Sequence, residues 1–489
     1  DKRTLILARD RAGEKPLFIW QTASRLAFAS ELKALFAYPE FPRKLDRAAV
    51  EHYLAFGYVP RDLCIIEGVR KLLPGSALRY DVDTGRTHSW QYWQLPELDA
   101  RAENASAEDL TDELHELLRN AVRRQLVADV PVGILLSGGI DSSLVTAMAA
   151  SVSDKPVKTF TIAFPGHPEH DESPYARIVA RHFGTEHVEL AAEEASLELL
   201  PDLVRQYDEP LADSSAIPTY IVSRLIRRHA TVALGGDGGD ELFGGYPQYV
   251  WVNRIAQLQS IFPAPLRRLI SRAGKALPVG MRGRNYVIAV GNEGYSALQR
   301  TSIAFDYEWR RQLLVGNNGT HPTPEELRLE MTAGAHSLLQ GMQRIDFRSY
   351  MVDDILVKVD RASMLASLET RAPFLDPAVI EFAYGRVPDR LKTNLRERKI
   401  LLRRLAARLL PAELDLRRKQ GFSVPITAWF AGELGTMMRE VLGAADPDLF
   451  HQKAIAELFV RQEQTGNQLH RLYALTVFEL WRREYGVTL

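Results

Sequence analysis

The sequence predicts an α/β fold in which helices cover both faces of a parallel sheet. Between residues 130 and 234, short apolar segments alternate with segments whose apolar residues recur at helical spacing. Such alternation is typical of parallel sheets, because the chain usually returns through a helix between parallel strands. The residues before 97 form short β segments separated by turns, and those after about residue 250 have a mostly helical pattern. We therefore expect a central α/β domain with a helical C-terminal part, preceded by a separate N-terminal domain.

The N-terminal domain is predicted to combine strands with a helix. Three apolar segments have the length and the flanking turns of strands: residues 4–8, 17–20 and 26–29. A helical pattern covers residues 47–56. A polar stretch then separates two expected domains, residues 1–97 and residues 105–489.

The second domain is predicted to open with a long amphipathic helix. Ser106 has the side chain of an N-cap, Asp109 lies in the first turn, and apolar residues recur at helical spacing up to Leu126. Strands and helices alternate after that point. The predicted strands are residues 132–136, 157–164, 187–190 and 231–234, and the helices between them include residues 142–150 and 174–183.

Composition argues against several classes of protein. The 489 residues carry 61 basic and 62 acidic side chains, so no excess of positive charge points to nucleic acid or to an anionic membrane. Cys64 is the one cysteine, which rules out an internal disulfide and argues against a cysteine-based zinc site. No apolar segment has the length of about 18 residues that a membrane-spanning helix needs. We expect a cytoplasmic protein with small-molecule substrates and with neither nucleic-acid nor membrane partners.

A loop rich in glycine and serine follows the first strand of the α/β domain. Residues 137–143 read Ser-Gly-Gly-Ile-Asp-Ser-Ser and lead directly into a predicted helix. Glycines let the backbone turn tightly, the N-terminus of a helix presents N–H groups, and hydroxyls add hydrogen-bond donors. The loop therefore predicts a cradle for phosphate oxygens, in which Asp141 is suited to Mg²⁺. The alternative is an ordinary glycine-rich turn between a strand and a helix.

Two common nucleotide-binding motifs do not fit this loop. It lacks the lysine of a Walker P-loop, and it does not match the G-x-G-x-x-G pattern of a dinucleotide-binding fold. The sequence of this loop therefore argues against transfer of a γ-phosphate and against binding of NAD.

A second glycine-rich loop, residues 235–246, follows the predicted strand at residues 231–234. Because open α/β sheets bind ligands at the carboxyl ends of their strands, both loops should lie at the same edge of the sheet. Residues 235–243 also match a calcium-binding nonapeptide, but that motif acts in tandem copies and the sequence contains one. We therefore favour one site shared by the two loops.

The loop at residues 137–143 resembles the PP-loop of the ATP-pyrophosphatase superfamily. Its pairing with the loop at residues 235–246 is similar to that in the glutamine-hydrolysing asparagine synthetase family, and the resemblance covers the whole chain. Further motifs occur in the order of that family: residues 8–17, 28–31, 208–215, 354–364, 369–376 and 418–422. The resemblance implies a parallel-sheet ATP-pyrophosphatase domain of the adenine-nucleotide α-hydrolase type. Part of an N-terminal-nucleophile-type α+β glutaminase domain would precede it.

The resemblance also implies a reaction. A carboxylate attacks the α-phosphorus of ATP to give an acyl-adenylate and pyrophosphate, and ammonia then displaces AMP. Asp141 and Asp240 match the positions that hold Mg²⁺. The positions that match pyrophosphate-binding residues are Ser137, Gly138, Gly139, Asp141, Ser142 and Ser143. Those that match the lining of the nucleotide pocket are Leu136, Ile162, Gly235 and Gly236, although strand-end residues of this kind are also ordinary core residues.

Three further residues match positions with a part in the reaction. Lys419 matches a lysine that contacts the α-phosphate, with a solvated surface lysine as the alternative. Asp237 stands where well-studied members have a glutamate that orients or deprotonates ammonia, and its shorter side chain leaves the role of base open. Arg371 is a candidate for binding the acceptor carboxylate, with a structural ion pair to Asp376 or Asp354 as the alternative.

Members of the family begin with a cysteine nucleophile whose own amine acts as the base. Residue 1 is Asp and Cys64 is internal, so residues 1–97 are expected to be the C-terminal portion of the glutaminase domain without its catalytic front. Either the sequence is a fragment, or the protein is a natural form that uses free ammonia or a partner glutaminase. For this chain we expect ammonia as the nitrogen source, and for a full-length protein glutamine.

The expected function is ATP-dependent amidation of a carboxylate, with ATP and Mg²⁺ required and aspartate as the default acceptor. Sugar carboxylates and acceptors that close lactam rings remain alternatives. A PP-loop enzyme that modifies tRNA is disfavoured, because the α/β domain has no cysteine for sulfur transfer and no basic patch. A homodimer remains possible.

Overall fold

The structure of the protein is a computed structural model. It describes residues 3–23, 25–163, 171–191, 197–278, 281, 283–316, 319, 321–416, 430 and 432–489. Across these residues no helix combines the length and the apolar character needed to cross a membrane.

Two small antiparallel sheets form the N-terminal region. Their strands are β1 (Thr4–Ala8), β2 (Phe18–Gln21), β3 (Leu26–Ala29), β4 (Val69–Lys71), β5 (Ser76–Asp81) and β6 (Thr87–Gln91). In one sheet β5 lies between β1 and β6, and in the other β2 lies between β3 and β4. The three strands predicted near the start of the chain are confirmed, the second with its bounds shifted by one residue.

Two helices accompany these sheets, α1 (Leu32–Phe36) and α2 (Arg47–Phe56). α2 begins where the sequence predicts, because the side chain of Asp46 accepts a hydrogen bond from the backbone N–H of Ala49 at 3.0 Å. It ends at Gly57, whose φ of 87° is readily adopted by glycine and stops the helix.

A five-stranded parallel sheet forms the centre of the protein. Its strands are β7 (Val132–Leu135), β8 (Lys158–Ala163), β9 (Glu186–Ala191), β10 (Val232–Leu234) and β11 (Glu369–Arg371), in the order β11-β10-β7-β8-β9. All four neighbouring pairs are parallel. The predicted parallel sheet is therefore confirmed, and the four strands assigned from sequence agree with the structure to within one residue at each end.

Helices cover both faces of this sheet. Those in the α/β part are α3 (Ala107–Gln125), α4 (Ile140–Val152), α5 (Ser173–Phe183), α6 (Leu200–Gln206) and α7 (Ala216–Arg227). On one face, Ile134 and Leu234 share a core with residues of α3 and α4. On the other, Phe160 and Ala233 pack against Ile226 of α7. Alternate strand residues thus point to opposite faces, as the pleat requires.

The fifth strand corrects the expectation that the chain after residue 250 is helical apart from one loop. β11 pairs in parallel with β10 and extends the sheet at that edge. With three residues, it is too short to show the alternating pattern by which strands are recognised in a sequence.

The remaining elements are mostly helical, as predicted. They are α8 (Gly239–Phe243), α9 (Pro247–Ile261), α10 (Ala264–Ala276), α11 (Arg284–Val290), α12 (Tyr307–Leu313), α13 (Pro324–Glu330), α14 (Leu338–Ile345), α15 (Leu356–Leu365), α16 (Pro377–Gly385), α17 (Ile400–Leu409), α18 (Glu433–Gly443), α19 (Gln452–Thr465) and α20 (Leu469–Glu484). A π-helix, Asp346–Ile355, joins α14 to α15. Segments of this kind are rare and often lie at functional sites.

The N-terminal region shares a hydrophobic core with the C-terminal helices. Tyr53 of α2 is fully buried, its ring lies 5.7 Å from that of Phe478 in α20, and its hydroxyl donates to the carbonyl of Ala474 at 2.7 Å. Val50 and Trp481 belong to the same core. The two ends of the described chain are therefore packed together rather than separated by the linker.

Candidate active site

The two glycine-rich loops meet at the carboxyl edge of the sheet. They follow β7 and β10, which are neighbouring parallel strands. A Cβ atom on Gly236 would lie 2.9 Å from the Cβ of Asp141, so the second loop touches the first. The backbone N–H of Gly235 also donates to the carbonyl of Arg371 at 2.8 Å, which ties the second loop to β11. The expected shared edge is thus present.

Serine side chains stabilise the first loop. The hydroxyls of Ser137 and Ser142 lie 3.0 Å apart, and the N–H of Gly139 donates to the Ser137 hydroxyl at 3.2 Å. Gly138 has a φ of 75°, and a Cβ there would lie 2.7 Å from the backbone carbon of Tyr175, so this position requires glycine. The loop leads into α4, and no side chain caps that helix. Its first N–H groups therefore suit an anion.

A cavity of about 610 Å³ opens between the loops and the helices above the sheet. Its volume lies in the range typical of small-molecule sites. Ten of the residues predicted to bind nucleotide, metal or ammonia line it: Leu136, Ser137, Gly139, Asp141, Ser142, Ile162, Gly235, Gly236, Asp237 and Asp240. Two others do not line it: Gly138 turns the backbone, and Ser143 is fully buried in the first turn of α4.

A buried lysine joins the two loops. The ammonium of Lys399 contacts the Asp141 carboxylate and lies 2.8 Å from Oδ1 of Asp240. Burial alone would lower the pKa of Lys399, but the two carboxylates outweigh it and raise that pKa. The lysine is therefore charged, and it draws one acidic side chain of each loop to the same point.

The backbone of Lys399 is strained to place this ammonium. Its φ of 54° is in the left-handed region, which non-glycine residues adopt at some cost in free energy. Strain of this kind persists where the surrounding contacts enforce it, and here Asp141 and Asp240 provide them. Lys399 was not predicted from the sequence. It follows Arg396, Glu397 and Arg398, and a lysine in such a charged segment is usually a solvated surface residue.

Gly245 makes room for this cluster, which gives a first testable prediction. A Cβ on Gly245 would overlap the Asp240 carboxylate and the end of the Lys399 side chain. We expect Gly245→Ala to displace both groups and to lower ATP–pyrophosphate exchange by about tenfold or more, because small misplacements at a reacting centre are costly. Gly443→Ala is the matched control, since a Cβ there meets no atom within 4 Å. Unchanged exchange in Gly245→Ala would show that the cluster does not act in the reaction.

Asp237 lines the cavity together with a second buried lysine, Lys358. Lys358 of α15 donates from Nζ to Oδ2 of Asp213 at 2.7 Å, and all three residues line the cavity. Burial raises the pKa of the Asp237 carboxyl, and the Lys358 ammonium is the strongest influence in the opposite direction. Neither Lys358 nor Asp213 was singled out from sequence, although both lie in family motifs.

The donor set is compatible with a magnesium ion. Among the described residues no cluster of three or more His, Cys, Asp or Glu side chains has metal-binding geometry. Mg²⁺ is often held by only one or two carboxylates together with substrate phosphates. Asp141 and Asp240 supply two carboxylates that converge on one ammonium beside the phosphate cradle. These two residues would hold the ion.

Arg371 is not placed to bind the acceptor, which corrects that expectation. Its guanidinium donates to the carbonyls of Gln125 and Val127 at 2.6 and 2.9 Å and pairs with Glu369 at 2.6 Å. The side chain thus ties β11 to the end of α3 rather than lining the cavity. The alternative pairings are also absent, because Asp376 accepts from Arg124 and Asp354 lies near Asp213.

Lys419 lies outside the described residues, together with the rest of the motif at 418–422. Its expected contact with the α-phosphate therefore stays a prediction.

The sheet, its paired glycine-rich loops and the acidic cavity at their edge define an α/β protein of the nucleotide-binding class. A sequence model of the asparagine synthase family matches residues 113–483, and one of a glutamine amidotransferase domain matches residues 1–93. The chain belongs to the asparagine synthase family. Members of this family are glutamine-dependent carbon–nitrogen ligases that use ATP.

Relatives cover almost the whole chain. Glutamine-hydrolyzing asparagine synthetase 1 of Bacillus subtilis is 31% identical over 97% of this chain and 74% of its own length. A putative glutamine-hydrolyzing asparagine synthetase of Mycobacterium bovis is 33% identical over 98% and 74%. The chain is also similar to the amidase chyE of Penicillium rubens, at 26% identity over 100% of this chain and 78% of that protein.

Proposed function

We propose that this chain converts aspartate to asparagine through an acyl-adenylate, with release of AMP and pyrophosphate. The observation that carries the proposal is the convergence of Asp141 and Asp240 on Lys399, at the mouth of a glycine-rich phosphate cradle. Residues 105–489 would form the synthetase domain, and residues 1–97 would be the C-terminal portion of a class II glutamine amidotransferase domain.

The first step forms the adenylate. An oxygen of the acceptor carboxylate bonds to the α-phosphorus of ATP, and the bond from that phosphorus to the bridging oxygen of pyrophosphate breaks. Ser137, Ser142 and the first N–H groups of α4 would hold the leaving pyrophosphate. Mg²⁺ bound by Asp141 and Asp240 would offset the charge that builds on its oxygens. Lys399 would add a positive charge at the same place, and Lys419 would contact the α-phosphate.

The second step forms the amide. Ammonia adds to the carbonyl carbon of the adenylate, loses one proton, and displaces AMP with the electron pair of the carbon–oxygen bond. The Asp237 carboxylate is the candidate base, because it lines the cavity within the second glycine-rich loop and Lys358 favours its ionised form. We propose that the nitrogen enters this step as ammonia.

A second candidate is amidation of a different carboxylate, such as that of a sugar or a peptide. This second candidate is supported by the similarity, over the whole of this chain, to a protein named as an amidase. The two candidates share the adenylation step and differ in the acceptor.

The test is an acceptor panel. The chain is incubated with ATP, Mg²⁺ and ammonium chloride, with each of a series of carboxylates, and pyrophosphate and amide are measured. Pyrophosphate release that depends on aspartate, with asparagine as the product, is the expected result. Release with another acceptor but not with aspartate would support the second candidate, and no release with any of them would refute the proposed chemistry. A parallel incubation with glutamine in place of ammonium tests the nitrogen source.

A further inference from the structure

The cavity has a second buried cation whose role in the reaction is not yet assigned. Lys358 is 9% exposed, lines the cavity from α15, and donates to Oδ2 of Asp213 at 2.7 Å. The two acidic residues that would hold the metal contact a different lysine, Lys399. The described cavity is thus lined by two buried lysines, one paired with the loop aspartates and the other paired with Asp213.

Lys358 lies among several acidic side chains. Burial alone would lower the pKa of its ammonium, but the carboxylates of Asp213 and Asp354 outweigh it and raise that pKa. Burial and the Asp213 carboxylate raise the pKa of Asp354 well above its usual range. Lys358 and Asp213 therefore form a charged pair, and the remaining donors of the ammonium are available to the cavity.

Several charged groups face Asp237 from the surrounding elements. They are Lys358 of α15, Asp141 of the first loop, Asp240 of its own loop and Glu14 of the N-terminal region. Burial and the two neighbouring aspartates all disfavour the ionised carboxylate, and Lys358 favours it. A base must be ionised to accept a proton, and Lys358 favours that form more strongly than the one backbone hydrogen bond that acts in the same direction.

We propose that Lys358 is a positioning residue for nitrogen transfer, whose ammonium, in the wall of the cavity that Asp237 also lines, favours the ionised Asp237 carboxylate that accepts the proton ammonia loses. This inference rests on the proposed function, because only amide formation needs that base. As the nitrogen bonds to the carbonyl carbon it becomes positively charged, one N–H proton passes to Asp237, and AMP leaves with the electron pair. Adenylation involves no such proton and takes place beside Lys399.

The experiment compares the two half-reactions in Lys358→Met and Lys358→Arg. Adenylation is followed as acceptor-dependent ATP–pyrophosphate exchange, and nitrogen transfer as amide formation at a fixed concentration of free ammonia between pH 6.5 and 9.5. In Lys358→Met we expect exchange within about threefold of the wild type and amide formation at pH 7 lowered by about 10². The acidic limb of the amide profile should move up by about two pH units, which accounts for a loss of that size. Lys358→Arg should restore most of the loss.

Controls separate this role from a structural one. Lys71→Met removes another buried lysine, which lies 3.1 Å from Glu209 and 3.5 Å from Asp353, outside the cavity. It should not change the ratio of the two half-reactions. Burial raises the pKa of Glu14 to about 7, so the profiles are repeated in Glu14→Gln, where the shift caused by Lys358→Met must persist. If Lys358→Met does not fold, the double variant Lys358→Gln/Asp213→Asn replaces the ion pair by two neutral side chains. It is expected to show the same loss of amide formation with little change in exchange.

Each outcome decides between the inference and its alternatives. Equal losses of exchange and amide formation, or wild-type amide formation at pH 7, would overturn the inference. Absence of acceptor-dependent exchange in the wild type would instead refute the proposed function itself. The two failures are therefore distinguishable.

Discussion

Asp141→Asn is expected to abolish adenylation while leaving the fold intact. The Asp141 carboxylate contacts the Lys399 ammonium and is one of the two candidate magnesium ligands. Asparagine has the same size but no charge, so a metal ion held against pyrophosphate loses half of its protein ligands. We expect acceptor-dependent pyrophosphate release to fall by about 10³ or more, which corresponds to about 4 kcal/mol of transition-state stabilisation.

The fold should survive this change, because Lys399 keeps its second partner, Asp240, at 2.8 Å. Thermal unfolding followed by circular dichroism checks this. Asp376→Asn is the matched control: its side chain caps α16 by accepting from Ala378 N–H at 3.0 Å, a role that asparagine also fills. Full activity of Asp141→Asn would show that the metal site is misplaced.

Lys399→Met is expected to lower exchange by about 10² to 10³, the cost of losing one preorganised group at a developing charge. The same substitution is expected to strengthen the binding of Mg²⁺, even though it lowers exchange. The ammonium occupies the space between the Asp141 and Asp240 carboxylates, so its removal leaves two negative charges facing each other. We therefore expect the variant to be stabilised by Mg²⁺ at lower concentrations than the wild type, measured as the rise in unfolding temperature without ATP.

Lys392→Met provides a comparison for this variant. Lys392 is also buried, at 1% exposure, but it donates to Oε1 of Gln343 and lies over the ring of Tyr384 outside the cavity. Exchange and magnesium dependence should both be near those of the wild type. Normal exchange in Lys399→Met would contradict the role given to the loop cluster.

The central sheet was predictable because its strands are apolar and are separated by helices of ordinary length. The edge at which the site lies followed from topology alone, since residues 137 and 235 each come directly after a parallel strand. β11 was not predictable, because three residues show no periodicity. The pairing of β11 with β10 also explains the Arg371 correction, since a residue near a loop in sequence can still point away from it once its strand is placed.

The two buried lysines of the site could not be predicted from the sequence. Lys358 and Lys399 lie more than 200 positions after the first loop, one within α15 and the other immediately before α17, and both helices have the pattern of ordinary amphipathic segments. What brings them to the cavity is the packing of α15 and α17 over the sheet. Local patterns report which face of a helix is apolar, and they do not report which side chain on the polar face meets a partner from elsewhere in the chain.

Because α2 and α20 share a hydrophobic core, division of the chain at the polar stretch between residues 97 and 105 would expose part of that core. Residues 105–489 produced alone would leave uncovered the apolar surface on which Tyr53 and Val50 pack, and α20 would lose the partner of its carbonyl at Ala474. An excised synthetase half would be prone to self-association through that surface. The N-terminal region thus covers an apolar surface of the C-terminal helices that would otherwise face water.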